Sequence, residues 1–325
     1  MEALVTGATG KVGHTVVSAL LERGDSVRAL VRDPSRASLP DGAEPVEGDV
    51  TDPASLRRAM DGCELVFNAM GLPEQWLTDE EAFDRVNARG SEAVVRAAAE
   101  AGARRVVHTS TIDVFHADRG ARFDESKVAD YPKGTAYERS KQRAEELALA
   151  AAGETGIELV IVNPAAVYGP GPSGSASFER SLFEPVVKGS RIQTPALPPG
   201  GCGVVFTGGI GRGQLLAAEK GRPGERYILC DGHVSLRELA EAVVRVAGRG
   251  RVPPVLPEAL ARGMAGAGEA LSRIIRKPPL LPRGQLFFFL WNAQPESGKA
   301  IRDLGWEPTP LEDGLRATLA GMGLV

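Results

Sequence analysis

Tyr137 and Lys141 stand four residues apart in a segment, 135–152, whose Ala, Leu, Glu and Arg content and periodicity predict a helix. Residues at i and i+4 share one helix face, which makes the phenol and the ammonium neighbours. A free phenol titrates at about pH 10, too high for ready proton exchange near neutrality. A nearby cation stabilises the phenolate and lowers that value. Such a phenol can give a proton to a carbonyl oxygen as hydride reaches the carbon, or take one from an alcohol in the reverse direction. The pair is weak evidence alone, so the elements that would bring a hydride carrier to it matter.

The N-terminus supplies a candidate. Gly7-Ala8-Thr9-Gly10-Lys11-Val12-Gly13 follows a short apolar strand and opens a helical segment. Glycines there allow a tight turn and close backbone approach, and a helix N-terminus offers free N–H groups to a pyrophosphate. Gly7, Thr9, Gly10, Lys11, Val12 and Gly13 are therefore candidate dinucleotide contacts, although the spacing is G-x-x-G-x-x-G and not G-x-G-x-x-G. At the end of the second strand, Arg32 precedes Asp33. A guanidinium there suits the 2′-phosphate of NADP, and a carboxylate suits the ribose hydroxyl of NAD. Arg32 comes first and Arg36 is close by, so NADP(H) is preferred over NAD(H), with a one-residue shift toward Asp33 as the alternative. Asp49 and Val50 close the third strand, where they could meet an adenine; Asp52 explains the following helix cap. Ala69, Met70 and Gly71 end the fourth strand and would let the backbone run beside the cofactor. The fifth strand ends in His108-Thr109-Ser110-Thr111, hydroxyls at an edge where ligands bind. Asn87 lies inside a helical segment, where Asn is a poor helix former, and could hold a water that relays protons from Lys141.

These motifs sit in an alternating pattern. Apolar, β-branched runs at 3–6, 26–31, 65–69, 105–110 and 158–162 are separated by helical segments at 13–23, 52–60, 84–101 and 135–152. Strand–helix–strand repetition predicts an α/β, doubly wound parallel sheet, the Rossmann fold, over residues 1–165. Beyond Pro164 the pattern loosens into Pro/Gly-rich turns, including 169–175, with helical signals at 178–188, 211–220, 235–247 and 257–275. Residues 166–325 are expected to form a smaller, mostly helical C-terminal substrate lobe, with a return of the chain to the sheet around 203–234. The formal net charge of -4 and the lack of a basic block argue against nucleic acid. Cys63, Cys202 and Cys230 are scattered, with no disulfide framework and no Cys/His cluster of metal-ligand spacing. The strand that opens the chain leaves no room for a signal peptide, and the apolar run 286–291 is too short to span a bilayer, so a cytoplasmic protein without stable membrane insertion is expected.

Taken together, Thr6–Gly13, Gly48-Asp49-Val50, Val86–Gly90, Thr109-Ser110-Thr111, Tyr137–Lys141, Asn163–Pro170 and Asp303–Trp306 resemble the extended short-chain dehydrogenase/reductase family, of NAD-dependent epimerase/dehydratase type, over nearly the whole chain. The resemblance implies that Tyr137 is the acid/base, Lys141 its electrostatic partner, Thr111 the Ser/Thr position and Asn87 the relay residue. It also implies that Pro164, Ala165 and Val167 lie along the nicotinamide, and that Tyr137 and Lys141 touch the cofactor as well. Residues 27–34 look like the dihydroflavonol reductase and 3β-hydroxysteroid dehydrogenase branch, where the Arg matching Arg32 implies NADP. The chain departs from the pattern at Thr111, where Ser is commoner, and at 206–210, where the family often carries an Asp. Phe115-His116 replaces the Tyr-Gly of many epimerases. The expected activity is an NADPH-dependent reductase of a carbonyl, or the reverse alcohol dehydrogenase, on a largely apolar small molecule. The alternatives are an NAD-dependent nucleotide-sugar epimerase or dehydratase, using cations such as Lys188, Arg191 and Arg212, and a non-catalytic NADP-binding regulator. Trp76, Phe115, Phe183, Phe206 and 287–289 are candidate pocket residues, of which one or two are expected to touch substrate. A homodimer through the helices 84–101 and 135–152 is the family's usual assembly.

Overall fold

In a computed structural model that describes residues 1–73, 76–174 and 177–325, the apolar runs form one seven-stranded sheet. Its order is Arg226–Leu229, Glu158–Pro164, Arg105–Thr109, Leu65–Asn68, Glu2–Thr6, Ser26–Val31, Glu44–Glu47, with every pairing parallel. Side chains alternate between faces along each strand. Val5, Phe67 and Val107 join one core with Val16 and Leu20 of helix Lys11–Arg23 and Ile210 and Ala217 of helix Thr207–Lys220. Leu4, Val66 and Val106 join the other with Leu56, Met60, Val94, Val95 and Ala148 from helices Pro53–Met60, Gly90–Glu100 and Ala136–Thr155. With both faces covered, the strands need apolar residues at successive positions, which is why they read as unbroken runs.

The strand order reverses between Glu2–Thr6 and Leu65–Asn68, and the crevice beyond their carboxyl ends is where doubly wound sheets take ligands. The helix carrying Tyr137 starts at a reciprocal cap: the Thr135 hydroxyl accepts Glu138 N at 3.1 Å and Glu138 Oε2 accepts Thr135 N at 2.7 Å. Asp52 caps the helix Pro53–Met60 through Ala54 N.

The edge strand Arg226–Leu229 comes from far beyond residue 165, after an excursion that also delivers helix Thr207–Lys220. Arg105 Nη1, from the middle of the sheet, donates to the carbonyls of Ala217 and Ala218 at 3.2 and 2.7 Å and so caps that helix's C-terminus. The rest of the C-terminal half contains the expected helices, with Leu236–Ala247 and Glu258–Ile275 close to the predicted bounds. It also contains a three-stranded sheet of Gly232–Ser235, Gly201–Phe206 and Ala166–Tyr168, packed around Tyr168, Phe183, Leu239 and Leu315. Of the turn-rich stretch 169–175, Ser175 lies outside the described residues, as do Glu74 and Gln75 in the predicted specificity loop 71–78.

Candidate active site

The glycine turn is built around close backbone contact. Gly7 has φ +67, and a Cβ there would lie 2.6 Å from the Ala69 carbonyl oxygen and 2.8 Å from Met70 Cα. A Cβ on Gly13 would lie 2.2 Å from the Gly7 carbonyl oxygen. Only glycine fits either position, and the result is a flat cradle at the switch point. Gly10 N donates to Gly7 O at 2.9 Å, and the helix that follows has no side-chain cap on its first N–H groups. Those donors are left for an anion. Thr9 and Gly10 are exposed, and Val12 is half-buried in the first turn of the helix. The Lys11 ammonium reaches across to the C-terminal half, donating to Gly169 O at 2.8 Å and pairing with Glu179 at 2.9 Å. Glu179 also accepts Gly169 N at 2.7 Å, so both backbone polar groups of Gly169 are held.

At the end of the second strand Arg32 is exposed and makes no ion pair among the described residues. Asp33 is committed elsewhere: its Oδ1 accepts Ser35 N at 3.0 Å and the Ser35 hydroxyl at 2.6 Å, capping the turn Pro34–Arg36. Asp49 Oδ1 holds Thr51 through its N and hydroxyl at 2.8 and 2.7 Å. Val50 is buried, and its Cγ2 and Met70 Cε would lie 3.0 and 3.1 Å from a Cβ on Gly90, so that glycine gives both side chains their place. Ala69 and Met70 are half-buried beside Gly7, with Gly71 exposed after them. Pro164 and Ala165 lie buried at the carboxyl end of their strand, where Ala165 N donates to Leu229 O at 2.9 Å; Val167 follows in the small sheet.

Lys141 is 4% exposed, and its ammonium donates to the Thr109 carbonyl at 2.9 Å, which places it at the carboxyl edge of the central sheet. Among the described residues no carboxylate lies within ion-pairing distance of it. Burial pulls its pKa down to about 8, against the raising influence of Glu145 and Asp113. Tyr137, one turn earlier and half-buried, meets Phe83 edge-on at 6.2 Å between ring centres. The Thr111 hydroxyl caps the 3₁₀ turn Ile112–Val114 by accepting Asp113 N at 3.2 Å, and Asn163 Nδ2 donates to the Thr111 carbonyl at 3.0 Å. Asn87 lies in a π-helical turn, Asp84–Arg89. There its Oδ1 accepts Leu72 N at 2.7 Å, while its Nδ2 donates to the Ser140 hydroxyl at 3.0 Å. One amide thus ties the loop after the fourth strand to the helix bearing Tyr137 and Lys141.

The chain matches the NAD dependent epimerase/dehydratase family over residues 3–193. It belongs to that family. Sterol demethylase protein B of Methylococcus capsulatus is 31% identical over 314 residues, 95% of this chain and 94% of that one. A 4-hydroxy-2-methyl-3-oxo-4-farnesyl-3,4-dihydroquinoline-1-oxide ketoreductase of Stigmatella aurantiaca is 33% identical over 319 residues, 94% and 92% of the two chains. The UDP-glucose 4-epimerase of Thermotoga maritima superposes with a TM-score of 0.80 over 99% of both chains at 21% identity, a likeness of fold. This member of the epimerase/dehydratase family is an NAD(P)-dependent enzyme of the extended short-chain dehydrogenase/reductase type, in the branch that includes dihydroflavonol reductase-like and 3β-hydroxysteroid dehydrogenase proteins.

Beside Tyr137 the family member has a cavity of about 480 Å³, lined by Phe83, Ala136, Glu138, Trp76, Phe287 and Phe288 among others. Of the predicted pocket aromatics, Trp76, Phe287 and Phe288 face it, whereas Phe115, Phe183 and Phe289 are core residues and Phe206 packs on Tyr168. Of the cations considered for a diphosphate, Lys188 pairs with Glu184, Arg212 donates to Thr309 and Arg191 is exposed.

Sequence reasoning passed over Asp113. Burial drives its carboxyl up to about 7, the Glu138 carboxylate adds to that, and Lys133, a hydrogen bond from Thr111 and Lys141 work the other way. The available signal was a carboxylate set among the apolar residues Ile112, Val114 and Phe115 directly after a buried strand. Also unforeseen was a buried polar chain under the crevice. Thr6 Oγ1 donates to Asn68 Oδ1 at 2.7 Å, and Asn68 Nδ2 reaches Ser91 Oγ and His108 Nδ1 at 3.2 and 3.0 Å. Burial, with Lys141 nearby, holds the His108 pKa well below its usual value, so the ring is neutral.

Proposed function

We propose that this enzyme is an NADPH-dependent reductase of a carbonyl group on a largely apolar small molecule, or the alcohol dehydrogenase of the reverse direction. The observation that carries the reading is the buried Lys141 ammonium. Taking a cation out of water without a carboxylate partner is costly, and such groups cluster where chemistry needs them. Lys141 sits one helical turn from the Tyr137 phenol, whose neighbours Phe83, Ala136 and Glu138 line a cavity of mixed apolar and charged residues. When bound, the nicotinamide supplies or accepts hydride. Tyr137 delivers the proton to the substrate oxygen or removes it, with Lys141 favouring the phenolate. Thr111 orients that oxygen, and Asn87 keeps the helix in place and holds a relay water for Lys141.

The turn at Gly7, Gly10 and Gly13, with the N–H groups of Lys11 and Val12, fits a pyrophosphate. Asp49 and Val50 flank the adenine, and Ala69, Met70, Gly71, Pro164, Ala165 and Val167 line the path to the nicotinamide. Arg32 is the 2′-phosphate ligand in this reading, supported by its exposure and the lack of an ion pair among the described residues while Asp33 caps a turn. Residues 1–165 hold the dinucleotide and 166–325 supply most of the substrate lobe. The relatives named for a farnesylated quinoline and for sterol demethylation favour a hydrophobic substrate over a nucleotide sugar. The test is a fluorescence titration with NADPH and, separately, NADH. Tighter binding of NADPH, by at least about tenfold and reduced to parity in Arg32→Ala, is expected. Preference for NADH, or NAD that copurifies, would move the role to Asp33 and overturn the reductase reading.

A further inference from the structure

Helix Glu258–Ile275 is built inside out. Its small residues, Ala261 and Ala265, are the ones that pack inward against Leu286 and Leu290. Its large apolar residues point outward: Leu260, Met264, Leu271, Ile274 and Ile275 are between 49% and 80% exposed. At about 100° per residue these five fall within roughly one third of the helix circumference, a continuous stripe and not scattered exposure. Leu280, just beyond the helix, is also fully exposed. Isolated exposed apolar residues need no explanation, but a contiguous set does.

The charge of the segment has a sign. Segment 258–283 carries Arg262, Arg273, Arg276, Lys277 and Arg283 against Glu258 and Glu269, a net of +3 in a chain whose total is -4. Both carboxylates are already engaged, Glu258 by Arg262 and Arg119, and Glu269 by Arg283. Arg276 and Lys277 are exposed, follow Ile275 directly, and have no ion-pair partner among the described residues. Basic residues flanking the apolar face of an amphipathic helix complement anionic headgroups. The cavity lies on another side of the same helix: Glu269 and Phe287 line it, with Arg262 stacked over the Phe287 ring at 5.6 Å.

We propose that this face docks on an anionic lipid surface, with the helix lying in the headgroup plane. No helix among the described residues is long and apolar enough to cross a membrane, so the attachment is peripheral and reversible. Docking stands on the helix itself; only its use, admitting an apolar substrate from lipid, rests on the reductase reading.

The experiment is cosedimentation of the full chain with phosphatidylcholine vesicles, with and without phosphatidylglycerol, in the absence of cofactor and substrate. Association with the anionic vesicles is expected. It should weaken at least about tenfold in Leu271→Glu/Ile275→Glu, and severalfold in Arg276→Glu/Lys277→Glu or in about 0.5 M salt. NADPH titration of the same variants, expected to match wild type, reports that they fold, and it fails independently if the cofactor assignment is wrong. Absence of vesicle binding, or binding that both double variants leave unchanged, would overturn the proposal. So would a wild-type dimer that Leu271→Glu/Ile275→Glu converts to monomer, because the face would then belong to a second copy.

Discussion

Two side chains carry separable consequences at the scale of the residue. Tyr137→Phe keeps the ring against Phe83 and removes only the hydroxyl. Turnover should fall at least about a hundredfold while NADPH affinity stays within about twofold, read by steady-state rates and fluorescence on one preparation. Asp113 should be visible in stability. Its carboxyl binds a proton more tightly folded, at about 7, than unfolded, near the ordinary value of 3.8. Between those values the native state holds more protons, so stability contributed by this group is present at low pH and lost as pH rises through about 7. Asp113→Asn should flatten that part of the stability–pH curve, with denaturation midpoints gaining on wild type from pH 5 to pH 8. Equal curves for the two proteins would show that Asp113 titrates normally.

Glycine spacing and helix geometry act at the scale of the element. Gly13→Ala drives a methyl into the Gly7 carbonyl, and the turn must move. A strain of about 1–3 kcal/mol falls on the cradle, so NADPH affinity should drop by about tenfold or more; isothermal titration of the variant measures it. The turn, the parallel strands and the helix carrying Tyr137 were legible in the sequence because each leaves a local signature: glycines at fixed offsets, unbroken apolar runs, and the Ala, Leu, Glu and Arg content and periodicity of 135–152. Other elements leave none. The lobe sheet escaped notice because Ala166–Tyr168 is three residues long and Gly201–Phe206 starts with two glycines in three positions. The π turn at Asp84–Arg89 adds one residue to a turn, and in the sequence only Asn87, a poor helix former, stands out there. Periodicity placed a helix at 257–275 but is blind to which apolar face is covered, because partners decide that. Asp231 shows the same limit. The junction at Phe206-Thr207 lacks the acid common in the family, yet Asp231, 25 residues on, accepts Phe206 N at 2.6 Å and Thr309 N at 2.7 Å.

For the whole molecule, the strand Arg226–Leu229 has the longest reach. It is the last to be synthesised of the seven, yet it covers the edge of Glu158–Pro164, and the helix made just before it shields one face of the central strands. A nascent chain ending near residue 165 carries every residue assigned to the cofactor turn and to proton transfer, with one sheet edge bare and one face half-dressed. Bare edges recruit other strands. The fragment 1–165 should therefore collect in inclusion bodies or unfold without a cooperative transition, whereas adding a separately expressed 166–325 during refolding should restore a single sharp melt. On the ribosome the same geometry makes the sheet's completion a late event, leaving an interval in which a chaperone has an open strand to hold.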